Sequence, residues 1–279
     1  MARVLLPVLF ILLLVCDLRS LTLPGAGAGV AFLFKPDPAR LTPHVLLGAL
    51  GLAFFKLSLG MGAMTTYGAY LPDSARIVPT ALRVALADTA VSLLAGLALF
   101  PAVFALQGTP DGGPGLLFET VPRIFARMPL GGWFTALFFV LAAVATIGAM
   151  VSLMEVPVAW LSARGRPGRG ASAALVAGLM LLLGVPATLS RAAGLDAFRI
   201  LGRTCFDLYD AASSQVLLPV GGLAIAILAG WALPRAGFLA ELAKGERPGA
   251  WTGPALRGLL RWLAPGLILL ILLAGFGLL

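Results

Sequence analysis

Long uninterrupted apolar runs, separated by short polar and charged stretches, set the pattern of this chain. Crossing a bilayer core as a helix takes about 20 mostly apolar residues, each rising about 1.5 Å. Runs that meet this length lie near residues 2–19, 46–70, 78–106, 132–161, 172–190, 206–233 and 258–279, which predicts about seven spans in one membrane domain, 1–279. A membrane barrel needs short alternating segments instead, and hydrocarbon does not tolerate unpaired backbone groups. The expected fold is therefore all-α and transmembrane.

The first run has a feature of secretory signals, since Arg3 precedes an apolar stretch ending at Cys16. Asp17-Leu18-Arg19 stands where a small-residue cleavage site should sit, so the run is read as a span, with cleavage as the alternative. Residues 21–43 and 107–132 are too long for tight turns and read as external caps. Within the second, Leu116 to Phe125 fits either an amphipathic helix or a plain surface loop.

Composition agrees with the pattern. Of 279 residues, 60% are hydrophobic and 11% charged, against about 25% charged in soluble domains. Mean hydropathy is +1.01. The net charge of +8 is scattered between apolar runs and builds no basic stripe, which points to lipid headgroups and not to nucleic acid. If the spans alternate, Arg164, Arg166 and Arg169 share a side with Arg235, Lys244, Arg247, Arg257 and Arg261. Arg123, Arg127, Arg191, Arg199 and Arg203 lie opposite, diluted by Asp111, Glu119 and Asp196. The positive-inside rule makes the first set cytoplasmic, with the N-terminus inside and the C-terminus outside. Cys16, Cys205 and the single histidine, His44, supply neither a disulfide framework nor a zinc site. No phosphate-binding loop or serine-hydrolase elbow occurs, so neither an enzyme nor a cofactor is expected.

The most informative stretch is Phe54-Phe55-Lys56-Leu57-Ser58-Leu59-Gly60-Met61-Gly62-Ala63-Met64-Thr65-Thr66-Tyr67, midway through the second run. A glycine costs about 1 kcal/mol relative to alanine inside a helix, so two glycines flanking Met61 favour a break over 58–62. Unwound backbone at membrane depth must line a protein-walled or watered cavity. Such breaks hold substrates and ions in many secondary transporters. Glycines also let helices pack closely, and on these residues alone both readings stand.

The same letters resemble the unwound sixth helix of the neurotransmitter:sodium symporter family, whose motif runs Phe-Phe-x-Leu-Ser-Leu-Gly-x-Gly before a Thr-Tyr pair. The resemblance continues through Leu93-Leu94-Ala95-Gly96-Leu97-Ala98-Leu99-Phe100-Pro101, Ser152-Leu153-Met154-Glu155-Val156-Pro157 and Phe206-Asp207-Leu208-Tyr209-Asp210. It implies the second half of an inverted-repeat, leucine-transporter-like fold. The spans would be helices five to eleven of the bacterial eleven-helix branch, in a bacterial cytoplasmic membrane. Helices one to four would then be missing or supplied by a separately encoded first half.

The resemblance also implies a site. Phe55 would be the aromatic lid and part of the external gate, Ser58 a polar contact, and Met61 a pocket wall. Leu59, Gly60, Gly62 and Ala149 would be further substrate-binding positions, with Leu153 facing the unwound stretch. Asp210 holds the position of the gate acid. Lys56 stands where the family offers a hydroxyl to the first sodium, and Asp88 falls at or beside another ligand of that site. The sequence expectation is a Lys56–Asp88 pair replacing the ion, or a proton-linked version of it, against Lys56 snorkelling alone into a watered path. Gly148-Ala149 replaces the hydroxyl pair of the second sodium site, and Ser92 marks the chloride position. Sodium coupling is thereby left open, and no other cofactor is expected. The implied function is alternating-access transport of an apolar or aromatic amino acid. The alternative is a truncated or non-transporting membrane interaction subunit.

Overall fold

A computed structural model of the chain describes residues 2–105, 122, 125, 126, 129–165, 168–190, 199, 200, 202–244 and 251–275. Its helices are α1 (Ala2–Leu21), α2 (Ala26–Phe34), α3 (Pro43–Lys56), α4 (Ala63–Gly68), α5 (Ile77–Ala105), α6 (Gly131–Ala163) and α7 (Arg169–Leu189). Strands β1 (Arg199–Ile200) and β2 (Arg203–Thr204) form a small antiparallel hairpin. Then come α8 (Cys205–Ala232), α9 (Arg235–Ala243) and α10 (Thr252–Gly275). Five helices, α5, α6, α7, α8 and α10, are long and apolar enough to cross a membrane. The first apolar run, 2–19, lies within α1, and Ala26–Phe34 follows at 117° to Pro7–Leu21, so part of the expected cap at 21–43 is helical. Most of the expected cap at 107–132, with its amphipathic candidate, lies outside the described residues.

The helices begin where the sequence provides caps. Thr42 accepts the Val45 N–H at 3.3 Å ahead of Pro43, which suits a first helical position because its missing N–H would be unpaired there anyway. Thr204 accepts the Asp207 N–H at 3.1 Å at the start of α8. Three stretches wind as π-helix: Ala212–Leu217 and Leu228–Ala232 in α8, and Leu259–Leu263 in α10.

The chain divides into two units, Met1–Ala39 with Arg83–Val151, and Arg40–Leu82 with Ser152–Leu279. In the first, Leu13 and Cys16 of α1 pack with Ala98 and Leu141. Gly29 lets α2 lie directly on the backbone of Pro101, and Phe32 sits 5.1 Å from Phe100 and 5.2 Å from Phe104. Asp17 is 4% exposed within this packing, and neither carboxylate oxygen has a hydrogen-bond partner among the described residues. A buried polar group left unsatisfied costs about 1–3 kcal/mol. Asp17→Leu is therefore expected to raise stability by about that amount, read as a higher unfolding midpoint in detergent. A lowered midpoint would show that Asp17 has a partner worth keeping.

In the second unit, α10 packs along α3 and α8. Arg261 lies 4.0 Å over the Trp231 ring, whose Nε1–H donates to the Arg261 carbonyl at 3.0 Å. Arg257 donates to the Leu233 carbonyl at 3.0 Å. These contacts join the end of α8 to the start of α10 beside the broken helix.

Candidate functional site

α3 ends at Lys56 and α4 restarts at Ala63. Between them the Leu57 N–H bonds to Ala53, Ser58 to Phe55 and Leu59 to Phe54, each at 3.0 Å, and the ladder then stops. Ser58, Gly60 and Gly62 take φ of 54°, 87° and 82°. Left-handed backbone is uncommon for any residue but glycine, so Ser58 marks the strained corner of the break. Gly62 starts the new half-helix, its carbonyl receiving the Thr66 N–H at 2.9 Å. The end of one half-helix and the beginning of the next thus meet at 57–62, as the glycine spacing predicts.

The break rests on α8. A Cβ at Gly60 would overlap the Leu218 carbonyl oxygen and come within 3.0 Å of the Gly222 nitrogen. A Cβ at Gly221 would overlap the Gly60 carbonyl, and one at Gly222 would enter the Phe54 ring. Gly62 faces Val156 of α6, with a Cβ there 3.4 Å from Cγ1. The two sequence readings of the glycine run, a break and a close-packing seam, are therefore both true of the same residues.

Ser58, Leu59, Gly60 and Gly62 line a cavity of about 190 Å³ that continues along α4, α8 and α10. Phe55, Met61 and Leu153 do not line it. Phe54 turns to α8, while Phe55 and Leu153 are 47% and 40% exposed within the chain. Lys56 is exposed at the end of α3, in the same unit as the break. Asp88, Ser92, Gly148 and Ala149 belong to the other unit. The Ser92 hydroxyl donates to the Asp88 carbonyl at 2.6 Å, so it bonds within its own helix. Gly148 and Ala149 are exposed positions of α6. Asp210 is exposed, and its carbonyl accepts the hydroxyls of Ser213 at 3.1 Å and Ser214 at 2.6 Å beside a π-helical stretch.

Sequence reasoning assigned no role to Glu155, although the structure makes it the anchor for the chain leaving α4. The Tyr70 hydroxyl donates to Glu155 Oε1 at 2.7 Å, and Arg169 Nη2 donates to both carboxylate oxygens at 2.8 Å. The Glu155 side chain is 17% exposed. The available signal was a carboxylate in an apolar run, which requires a partner. Farther along the same loop, Asp73 meets Lys244 Nζ at 3.1 Å, and Glu241 meets it at 2.9 Å. The hydrogen bonds that Lys244 donates to the Glu241 and Asp73 carboxylates hold its pKa above its ordinary value.

The family model described as the sodium:neurotransmitter symporter family matches residues 2–276. An uncharacterized sodium-dependent transporter of Bacillus subtilis, YhdH, is 37% identical over 279 residues, covering 100% of this chain and 61% of that protein. The human sodium- and chloride-dependent taurine transporter is 30% identical over 261 residues, covering 87% of this chain and 40% of that protein. Among solved structures, MhsT in complex with L-phenylalanine superposes with a TM-score of 0.85 at 41% identity, covering 98% of this chain and 62% of that chain. The chain thus spans about three fifths or less of the length of these relatives. It is a multi-pass membrane protein with the helical architecture of MhsT, and it belongs to the sodium:neurotransmitter symporter family, a family of transporters and not of enzymes.

Proposed function

We propose that the chain carries the broken-helix part of a secondary transporter that moves an apolar or aromatic amino acid across a bacterial cytoplasmic membrane by alternating access. The observation that carries this reading is the left-handed backbone at Ser58, Gly60 and Gly62 between two half-helices. Those half-helix ends direct backbone partial charges at one level of the membrane, where the ammonium and carboxylate of an amino acid need them. The likeness to a structure holding L-phenylalanine supports the substrate class. In this reading Phe55 covers the substrate, Ser58, Leu59, Gly60 and Gly62 floor its site, and Met61, Ala149 and Leu153 wall it. Asp210 serves the external gate. The remaining helices come from sequence beyond the matched part of the relatives or from a separately encoded chain.

Coupling is read from Lys56. In this reading the Lys56 ammonium takes the place of the first sodium ion, while Gly148 and Ala149 lack the hydroxyls that a second cation would use. Uptake of labelled phenylalanine into proteoliposomes, with the chain supplemented by the remaining helices, tests transport. Accumulation under a proton or sodium gradient is expected, and none under either gradient would overturn the proposal. Lys56→Thr is expected to increase the sodium dependence of that uptake several-fold, and unchanged dependence would remove Lys56 from the coupling site. A second reading, a non-transporting interaction subunit, is favoured by the absence of hydroxyls at Gly148 and Ala149. It predicts association with a partner transporter and no uptake in any assembly.

A further inference from the structure

We propose that Asp17 is a proton-binding site, which holds its proton while α1 is packed on α5 and α6 and gives it up when that face opens. Between Pro7 and Leu21 the buried positions of α1 are Leu13, Cys16, Asp17 and Ser20. Steps of three and four residues place them on one face of the helix. Leu13 and Cys16 pack with Ala98 of α5 and Leu141 of α6, and Leu23, just beyond α1, packs with Ala102, Val103 and Phe125. Along this face Asp17 and Ser20 fall between the two clusters, 4% and 2% exposed. Their three side-chain oxygens have no hydrogen-bond partner among the described residues.

An ionised carboxylate in such a place needs a cation, and the described elements packed there supply none. Arg19, the next cation along α1, donates to the Thr22 hydroxyl at 3.5 Å and lies 5.8 Å from the centre of the Phe134 ring. α2 carries no charged residue, and neither do Pro122, Phe125 and Ala126. In α5 the charged residue nearest Ala98 is Asp88, ten residues or about 15 Å back along the helix. In α6 it is Glu155, fourteen residues beyond Leu141. Cys16 is the other titratable group on the face, and its ionised form would repel a carboxylate. A metal ion needs a shell of several oxygens, whereas the buried face of α1 offers side-chain oxygens from Asp17 and Ser20 alone. Burying an isolated ion costs far more than burying the neutral acid, so the group takes up a proton instead. The neutral acid gains an O–H, and the Ser20 hydroxyl one turn on is the acceptor its own face provides.

The enclosure is already complete within this chain. Helices from the rest of a longer protein add to the packing, but they reach the Asp17 oxygens only by displacing the residues that cover them. The proton therefore has one route. The face opens, water reaches the carboxyl, and the acid O–H passes its proton to water, leaving a carboxylate that resists being buried again. Rising pH thus favours the opened face. The proposal does not depend on transport, since the proton is counted without it.

The test compares the full chain in detergent with Asp17→Asn, which keeps the side-chain shape and cannot ionise. An exposed aspartate titrates near about 3.9, so from about pH 5 to about pH 6 the unfolded chain has Asp17 ionised while the folded chain holds the proton. Unfolding then releases one proton that the variant lacks. The folding equilibrium of the native chain is expected to weaken several-fold, at most about tenfold, over that pH unit relative to the variant. Infrared difference spectra at the lower pH are expected to show a protonated-carboxyl band that Asp17→Asn removes. Asp17→Leu gives the same two comparisons where the asparagine variant fails to fold. Parallel pH profiles in the native chain and the variants would overturn the proposal. So would absence of the band, which would show Asp17 ionised and paired with a cation from elsewhere.

Discussion

Gly60→Ala is expected to lower stability by about 3 kcal/mol or more and to abolish uptake in the assembled transporter. Two costs combine at this position. The backbone holds φ at 87°, where a Cβ costs about 1–2 kcal/mol. The new methyl would also overlap the Leu218 carbonyl, which belongs to helix backbone and cannot rotate away as a side chain can. Gly62 shares the first cost, with φ 82°, but its Cβ would make only ordinary contact with Val156 at 3.4 Å. Gly62→Ala should therefore lose about 1–2 kcal/mol. Gly68 ends α4 with open space where a Cβ would go, so Gly68→Ala should be neutral or stabilising by a few tenths of a kcal/mol, about the gain expected near a helix end. Unfolding midpoints in detergent give the order directly. Equal losses at Gly60 and Gly62 would mean that the seat on α8 contributes nothing beyond backbone strain.

That ordering separates what was legible in the sequence from what was not. The break itself was legible, because Ser58-Leu59-Gly60-Met61-Gly62 puts two poor helix formers around one residue in an otherwise continuous apolar run. Its seat was not. Gly221-Gly222 reads as another small-residue pair until folding brings it against Gly60 and Phe54. The spans over α5, α6, α7, α8 and α10 follow from length and hydropathy alone. The π-helical stretches and the 117° bend between α1 and α2 depend on packing, which leaves no periodic signal in the letters. The site roles came from resemblance. Of those residues, the structure gathers Ser58, Leu59, Gly60 and Gly62 around one cavity, and it turns the Ser92 hydroxyl back onto its own helix. The neighbouring phenylalanines illustrate the limit. Identical in type and adjacent in sequence, Phe54 and Phe55 face different surroundings, and only the close approach of Gly222 says which one α8 receives.

Glu155→Ala is the second large effect expected, because one carboxylate ties three segments together. It receives the Tyr70 hydroxyl from the chain after α4 and the Arg169 guanidinium from the start of α7. The two bonds are not of equal worth. Arg169 is 65% exposed, so water replaces much of what it loses, and the ion pair counts for about 1 kcal/mol or less. The Tyr70 bond ends on a carboxylate that is 17% exposed, and hydrogen bonds to charged groups contribute about 1.5–3 kcal/mol. Glu155→Ala removes both, with an expected loss of about 2–4 kcal/mol. Glu155→Gln keeps an acceptor for Tyr70 while removing the charge, and should lose about 1 kcal/mol. Tyr70→Phe should fall between them. The functional consequence follows from position: α4 is six residues long, and its own hydrogen bonds cannot hold its far end. Releasing Tyr70 frees the half-helix to swing, so uptake should drop about tenfold or more in Glu155→Ala, a loss equivalent to about 1.4 kcal/mol, and much less in Glu155→Gln. A double-mutant cycle between Tyr70→Phe and Glu155→Ala measures the coupling. Additive losses would mean that the two side chains do not act together, and that the anchor of α4 lies elsewhere.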